Sequence, residues 1–293
     1  MIWSQRPMAA PFFTRLRRSV VVSGGDLAAL SALAVEIRTF DPHATLVPEG
    51  RSGDCIHVVL DGWAACVKIL ENGSRQMPAI FVPGDVCDIG GLFLGHSACS
   101  AVALTRCTVA LVPREPLIAL FDRHRGLRNA FGRMLATELS AATQWAVCLG
   151  RRTARERMAH LLCELFVRLD AVGVAAGAGG PDFAAGGPGF AASGTWCDFP
   201  LTQEEMADVL ALTAVHVNRT LQALRHDGLI QLRDQRLTIK DWAALKRAGG
   251  FDPAYLHLDD AVPAPGILRD VPTGAQSGAQ SDAQSGAEMR LSA

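Results

Sequence analysis

The sequence predicts an α+β chain in three parts: a small antiparallel β-roll, one long helix, and a compact helical end closed by a hairpin. Three observations carry this. Residues 40–113 alternate short apolar runs with glycine turns, the rhythm of short antiparallel strands. From Leu117 to Leu169 apolar residues recur at helical spacing, with one break near Gly150. Residues 201–239 read as two short helices, a tight turn and a hairpin.

In the first part, Ile56-His57-Val58-Val59-Leu60 leads to Asp61-Gly62. The run from Ala64 to Leu70 leads to Glu71-Asn72-Gly73, and Asn-Gly is a strong hairpin signal. Ala79-Ile80-Phe81-Val82 meets the turn Pro83-Gly84-Asp85, and Ala101–Leu104 and Thr108–Val112 complete the set.

In the long helix, Leu127, Phe131, Met134, Glu138, Ala141, Trp145 and Cys148 follow a four-three spacing, widened by Leu135, Leu139, Ala142 and Leu149. A face this apolar has to be buried. The chain's own roll is one surface it can pack on, and Glu138 interrupts the face, either fixing register or simply flanking the contact. A further helix, Thr153 to Leu169, carries Met158, Leu161, Leu162, Leu165 and Phe166 and packs with the C-terminal part. Arg151, Arg152 and Arg155 at its start form either phosphate contacts or a solvated junction.

At the C-terminal end, Thr202 and Glu205 make a capping box. Met206 and Leu210 follow at helical spacing, Ala211-Leu212 forms the turn, and Thr213 caps a second helix. Alanine suits that turn, where glycine is frequent, provided its backbone is not left-handed. Val217, Leu221 and Leu224 form the buried stripe of the second helix. Its other face offers Ala214, His216, Asn218, Arg219, Gln222 and Arg225, and Asp227-Gly228 ends it. Leu229–Leu232 and Leu237–Ile239 flank the turn Arg233-Asp234-Gln235-Arg236 as a wing. Small residues at the start of a helix, followed by donors that reach base edges and phosphates, are what a helix in the DNA major groove requires. The two helices and wing therefore predict double-stranded DNA as partner. The DNA-binding set read here is Thr213, Ala214, Val215, His216, Asn218 and Arg219 on the second helix, with Arg233 and Arg236 on the wing.

Residues 201–230, and in particular Val215-His216-Val217-Asn218-Arg219-Thr220-Leu221, resemble the DNA-binding half of the Crp/Fnr family of bacterial transcription regulators. The order of strands and turns, with glycines at Gly50, Gly53, Gly62 and Gly84, is similar to that family's cyclic-nucleotide-binding β-roll. The resemblance implies a cytoplasmic homodimer that reads a palindromic operator, two recognition helices one turn of DNA apart, with RNA polymerase as a further partner. It also implies that Ala214, Val215 and Arg219 face bases and that Thr202, Gln203 and His216 face phosphates. Ala214 and Val215 cannot donate hydrogen bonds, so the operator should differ from that of the cyclic-AMP receptor. Arg219 is the candidate for a bidentate guanine contact.

The ligand segment departs from the resemblance. The family's pocket has Gly-Glu, a short helix, then Arg-Ser-Ala or Arg-Thr-Ala. Here Asp85 replaces the glutamate, and no arginine or lysine occurs between Gly84 and Arg106. A buried phosphate without a cation loses its main charge-assisted hydrogen bonds, so cyclic AMP is not the expected effector. Gly84, Asp85, Ser100 and Ala101 remain the candidate effector contacts, although the segment also reads as a purely structural one. The eight cysteines include no C-x-x-C pair and no N-terminal cluster, which argues against an iron–sulfur cluster and against zinc. No metal ligand set is assigned. Cys66 and Cys107 read as packing, and Cys87 with Cys99 as the one pair to test for redox chemistry. Haem stays open, with His43, His57 and His96 as candidate ligands.

The expected boundaries are an N-terminal extension at 1–24, the β-roll at 25–126, the dimerisation helix at 127–150, the DNA-binding domain at 151–250 and a low-complexity tail at 251–293. The 171–195 insertion, nearly all glycine, alanine and proline, reads as a mobile loop, and the GAQSGAQSDAQSGAE repeat is likewise of low complexity. No signal peptide or membrane span is read. A net charge of −1 over 293 residues argues against non-specific coating of DNA or membranes. From Thr213 to Arg236, four arginines against two aspartates make only a weak basic patch. Free cysteines without a secretion signal point to a reducing compartment. The P-loop, the nucleophile elbow and a spaced metal pair are all missing from the sequence, so no enzyme is read. The alternative reading is a ligand-binding signalling module whose C-terminal helices contact a protein partner.

Overall fold

The computed structural model describes residues 3–51, 53–175 and 195–258. Strands β1 (Glu36–Phe40), β8 (Cys107–Pro113), β3 (Cys55–Asp61) and β6 (Val86–Cys87) make one four-stranded sheet in that order. Strands β2 (Thr45–Val47), β7 (Ser100–Ala103), β4 (Ala64–Ile69) and β5 (Arg75–Phe81) make a second. Every pairing in both sheets is antiparallel. Because side chains alternate along a strand, each sheet has two buried faces. Val59, Ala64, Cys66, Phe81, Cys107 and Val109 fill the space between the sheets. Ile56, Val58 and Leu60 face outward from β3 to a second core, and Ala65, Val67, Met77 and Ile80 face outward from β4 and β5 to a third.

The second core corrects the reading of residues 1–24 as a mere extension. Helix α1 (Ala10–Ser19) buries Phe12, Phe13 and Leu16, and Trp3 joins them. Helix α2 (Gly24–Ser31) starts with a capping box at Ser23 and Asp26. Gly84, at φ +94°, lies against this layer, and a Cβ there would come within 3.0 Å of the Pro11 backbone. After the short helix α3 (Gly91–Leu94), helices α4 (Arg114–Arg123), α5 (Arg125–Arg151) and α6 (Ala154–Ala171) account for the long helical stretch. Its break falls at Arg152-Thr153, where Thr153 and Glu156 form a further capping box.

The third core is continuous from the roll into the C-terminal half. It includes Trp63, Ile80, Trp145, Met158, Leu162, Phe166, Met206, Val217, Leu221 and Leu245. Helices α7 (Gln203–Leu210), α8 (Ala214–His226) and α9 (Trp242–Gly249) pack there with β9 (Trp196–Asp198), β10 (Ile230–Arg233) and β11 (Arg236–Ile239). The sequence reading missed β9, which pairs with β11 and makes the wing three-stranded. Residues 251–258 are also packed structure, so the tail boundary at 251 is too early: Phe251 and Leu256 are buried, and a 3-10 turn spans Pro253–Leu256. Most of the expected 171–195 insertion lies outside the described residues, as does the tail beyond 258.

Candidate nucleic-acid interface

Helix α7 starts as expected. The Thr202 hydroxyl accepts from Glu205 N–H at 3.1 Å, and Thr202 N–H donates to Glu205 Oε2 at 2.7 Å. Arg157 of α6 donates to the Leu210 carbonyl at 3.0 Å, which satisfies one orphan group at the helix's other end. The turn departs from expectation: Ala211 is left-handed, φ 52° and ψ 50°. A Cβ is disfavoured there by about 1–2 kcal/mol. The turn keeps this conformation because Met206, Val209, Leu210, Val217 and Leu221 are all buried on either side of it.

Thr213 caps α8 by accepting from His216 N–H at 3.3 Å. The stripe of Val217, Leu221 and Leu224 is buried. Thr213, Val215, His216 and Arg219 are exposed, with Ala214 and Asn218 half-buried beside them. Val215 is 74% exposed, the most exposed large apolar side chain among the described residues. Gln203 and Asn218 join the two helices, Asn218 Nδ2 donating to Gln203 Oε1 at 3.3 Å. Arg219 makes no hydrogen bond or ion pair among the described residues. Arg225 is different, because it donates to the Leu232 carbonyl at 3.0 Å and ties α8 to the wing. Asp234 and Gln235 both have positive φ at the wing tip, the geometry of a two-residue hairpin turn. Arg233 and Arg236 stand exposed at either side, Arg236 stacking over the Trp196 ring at 3.8 Å. Of the predicted DNA-binding residues, Gln203 and Asn218 are brought together across α7 and α8, and Arg233 and Arg236 stand on the wing that Arg225 ties to α8. Of the arginines at the start of α6, Arg155 pairs with Asp227 at 2.6 Å and Arg152 donates to the Gly250 carbonyl at 3.0 Å.

The candidate effector contacts do not form one open surface. Gly84 and Asp85 are buried, Ala101 is in the core between the sheets, and Ser100 Oγ accepts from Glu49 N–H at 3.1 Å. Asp85 accepts from Val82 N–H at 2.8 Å, from Arg168 at 2.5 Å and from Arg15. Cys99 stands immediately before Ser100-Ala101, where the resembled motif has its arginine, and forms a disulfide with Cys66. The pairing of Cys87 with Cys99 is therefore corrected. Register explains it: Cys66 of β4 lies opposite Ala101 of β7, whereas Cys87 is on β6 in the other sheet. Cys66 is then not inert packing, and the argument from wholly free cysteines to a reducing compartment does not hold. A cyclic nucleotide does not fit these residues. The cleft between the roll and α5 is faced by Arg15 and Arg168, but also by Glu138 and Glu164, and both arginines are already paired with acids. His57 and His96 border one small cavity with Asp88, while His43 lies apart and exposed. Burial, with Arg38 nearby, lowers His57 to about 4. Among the described residues no three His, Cys, Asp or Glu side chains are grouped to hold a metal ion.

Helix α5 also departs from expectation. Leu127, Phe131, Met134, Trp145 and Cys148 are buried within the single chain, and Glu138 lies 3.5 Å from Arg15. The anticipated seam therefore packs on the chain's own roll and C-terminal half. A second face stays open: Gly132, Ala136, Leu139, Thr143, Ala146 and Gly150 recur at four-three spacing and are exposed. Leu139 is 68% exposed, and a Cβ on Gly132 or Gly150 would meet nothing.

One contact set connects the roll to α7, and a second braces the α5–α6 junction. Arg75 of β5 pairs with Asp208 of α7 at 2.6 Å, and Gln76 donates to the Val209 carbonyl at 3.2 Å. At the α5–α6 junction, Trp145 Nε1 and the Tyr255 hydroxyl donate to Glu164 Oε2 at 2.9 and 2.6 Å. Tyr255 Oη lies 3.0 Å from His160 Nε2, and Arg152 donates to His160 Nδ1. This fixes a neutral His160 with its proton on Nε2, and burial with Arg152 lowers its pKa to about 4. The sequence reading missed this cluster. The signal available was His160 and Glu164 at i, i+4 on an apolar helix, together with the chain's single tyrosine.

Residues 156–248 match the Crp-like helix-turn-helix domain, and residues 37–124 match the cyclic nucleotide-binding domain. The chain is 31% identical over 216 residues to the transcriptional activator protein FnrL of Cereibacter sphaeroides, covering 73% of this chain and 81% of that one. It is 28% identical over 222 residues to the nitrogen fixation regulation protein FixK of Azorhizobium caulinodans, 75% of this chain and 80% of that one. The solved structure of FixK2 from Bradyrhizobium japonicum has the same fold, with a TM-score of 0.62 at 24% identity over 78% of this chain and all of that one.

Proposed function

This chain belongs to the Crp/Fnr family of transcription regulators and is a DNA-binding regulator of that type, and from this premise we propose how it binds. Helix α8 enters the major groove with Ala214, Val215 and Arg219 toward bases. Thr202, Gln203, Thr213, His216 and Asn218 line the adjoining backbone, and Arg233 and Arg236 hold the flanking phosphates from the wing. The observation that carries this reading is the uncommitted Arg219 on an exposed, capped helix whose first turn is small. A guanidinium fork suits guanine O6 and N7.

The operating unit is a homodimer on a palindromic site. Support comes from the open four-three face of α5, with Leu139 exposed among small residues that let two helices approach closely. The effector is not cyclic AMP, because the phosphate-binding position is a disulfide-bonded cysteine and the nearby cations are already neutralised. The protein works in the cytoplasm, where its DNA is, recruits or obstructs RNA polymerase, and carries no catalytic activity. Among the described residues no helix is long and apolar enough to cross a membrane.

The test is selection of bound duplexes from a random library, followed by affinity measurements with Arg219→Ala. The expected result is a two-fold symmetric site and lost preference at one G·C pair per half-site, with the salt dependence largely kept. Full retention of specificity by the variant rules Arg219 out as a base reader. Sedimentation should give twice the 31.2 kDa chain mass, falling to the single-chain mass for Leu139→Asp.

A further inference from the structure

Outside the roll, α1, α5, α6 and the C-terminal turn border a cleft that opens to solvent. Arg15, Arg18, Arg133 and Arg168 line it, no aspartate or glutamate among the described residues does, and Met134 and Leu256 supply apolar walls. The four cations differ in how far they are satisfied. Arg15 is held by Asp85 and Glu138, and Arg168 by Asp85, Glu164 and the Ile80 carbonyl, so their acids lie behind the wall. Arg133 makes no ion pair among the described residues, and its Nε is buried with no hydrogen-bond partner. Arg18 likewise has no ion pair among the described residues and interacts only through space with Asp170. A buried N–H without an acceptor is destabilising unless a ligand or water completes it.

We propose that this cleft is a binding site for a small organic dianion carrying carboxylate or phosphate oxygens. Arg18 and Arg133 are its charge partners, Arg15 and Arg168 complete the polar wall, and Met134 and Leu256 contact the apolar body. A guanidinium presents a planar fork of donors that matches either oxyanion, and such bonds are the stronger class. The site adjoins the cleft between roll and α5 and shares Arg15, Thr137, Arg168 and Leu256 with it, whereas Glu138 and Glu164 line only that neighbouring cleft. Its position suits an effector, because α5 and α6 join the roll to the DNA-binding half. Only this last point rests on the regulator reading.

The experiment is isothermal titration of the full chain, without DNA, with succinate and with inorganic phosphate at constant ionic strength. Acetate and chloride serve as controls. Saturable binding of either dianion is expected, and which one binds identifies the head group. Arg133→Gln and Arg18→Gln should each weaken it about tenfold or more, and Arg38→Gln, on the exposed face of β1, should leave it unchanged. Unliganded thermal unfolding of each variant verifies that it is folded. No saturable heat with either dianion, or binding by both folded cleft variants equal to the parent, overturns the proposal. Because no DNA is present, failure here is distinguishable from failure of the DNA-binding reading.

Discussion

In the turn after β5, Asp85 is wholly buried and its oxygens take one backbone N–H and two arginines. On α8, Arg219 reaches out with no partner among the described residues, beside a Val215 that is 74% exposed. Both regions are stretches where a sequence reader looks for ligand contacts. The difference is commitment: in the roll the polar groups are used to hold the chain together, and on α8 they are left for something else. Residue type nominates a site, but whether its hydrogen-bonding capacity is already filled decides whether it can bind.

Breaking that comparison starts at Asp85. Asp85→Asn leaves Arg15 and Arg168 without their shared acid, and losing one partner of a buried pair is destabilising by about 3–5 kcal/mol. Urea unfolding should show this as a lower midpoint at unchanged slope. A change under about 1 kcal/mol would mean that the turn is not held by its ion pairs.

The next effect is acid sensitivity at the α5–α6 junction. The folded pKa of His160, about 4, lies below its free value of 6.5. Its share of stability is therefore full above the free value and lost as pH falls toward 4. The difference between those values corresponds to about 3 kcal/mol. His57 acts in the same direction in the same window. Asp170, raised to about 6 by burial, opposes them, since acid relieves its buried charge. His160→Gln isolates one share: its stability should fall less steeply with acid than the parent's.

Arg219→Ala sharpens the comparison from the other side. Folding stability should stay within about 0.5 kcal/mol, while discrimination at the contacted base pair falls by about 1–3 kcal/mol. Equal losses in both would place Arg219 in the fold rather than in recognition. The smallest effect belongs to the turn between α7 and α8. Ala211→Gly relieves a left-handed alanine but adds freedom to the unfolded chain, for a net gain of about 0.5–1 kcal/mol. A loss of stability would show that the Ala211 methyl makes a needed contact.

The parts of the fold that could be read in advance are those encoded locally. Thr202, Glu205 and Thr213 are read from spacing alone because capping geometry is fixed within one turn. Strands β3, β4, β5, β7 and β8 of the roll are read from apolar runs between glycine turns, whereas the short or exposed β1, β2 and β6 are not. What escaped is long-range. Nothing near Cys66 marks Cys99 as its partner until strand register sets Cys66 opposite Ala101, two residues from Cys99. The two faces of α5 cannot be ranked from periodicity, because both repeat at helical spacing and only tertiary packing buries Met134 and leaves Leu139 out. Tyr255 was assigned to the tail because low-complexity sequence begins soon after it. Its placement on Glu164 follows from the return of the chain after α9. Arg219 is nominated by residue type, and its lack of a partner among the described residues is visible only once its neighbours are placed.

The most direct measurement is fluorescence anisotropy of the full chain on its selected palindrome and on a scrambled duplex. It would be run across a range of salt concentrations, with and without cyclic AMP. The expected result is a steep fall of affinity with salt, a preference for the palindrome of about a thousandfold or more, and no response to cyclic AMP. Equal affinity for both duplexes with no salt slope would instead assign the open face of α8 to a protein partner. Binding that appears only with cyclic AMP would contradict the reading of the roll.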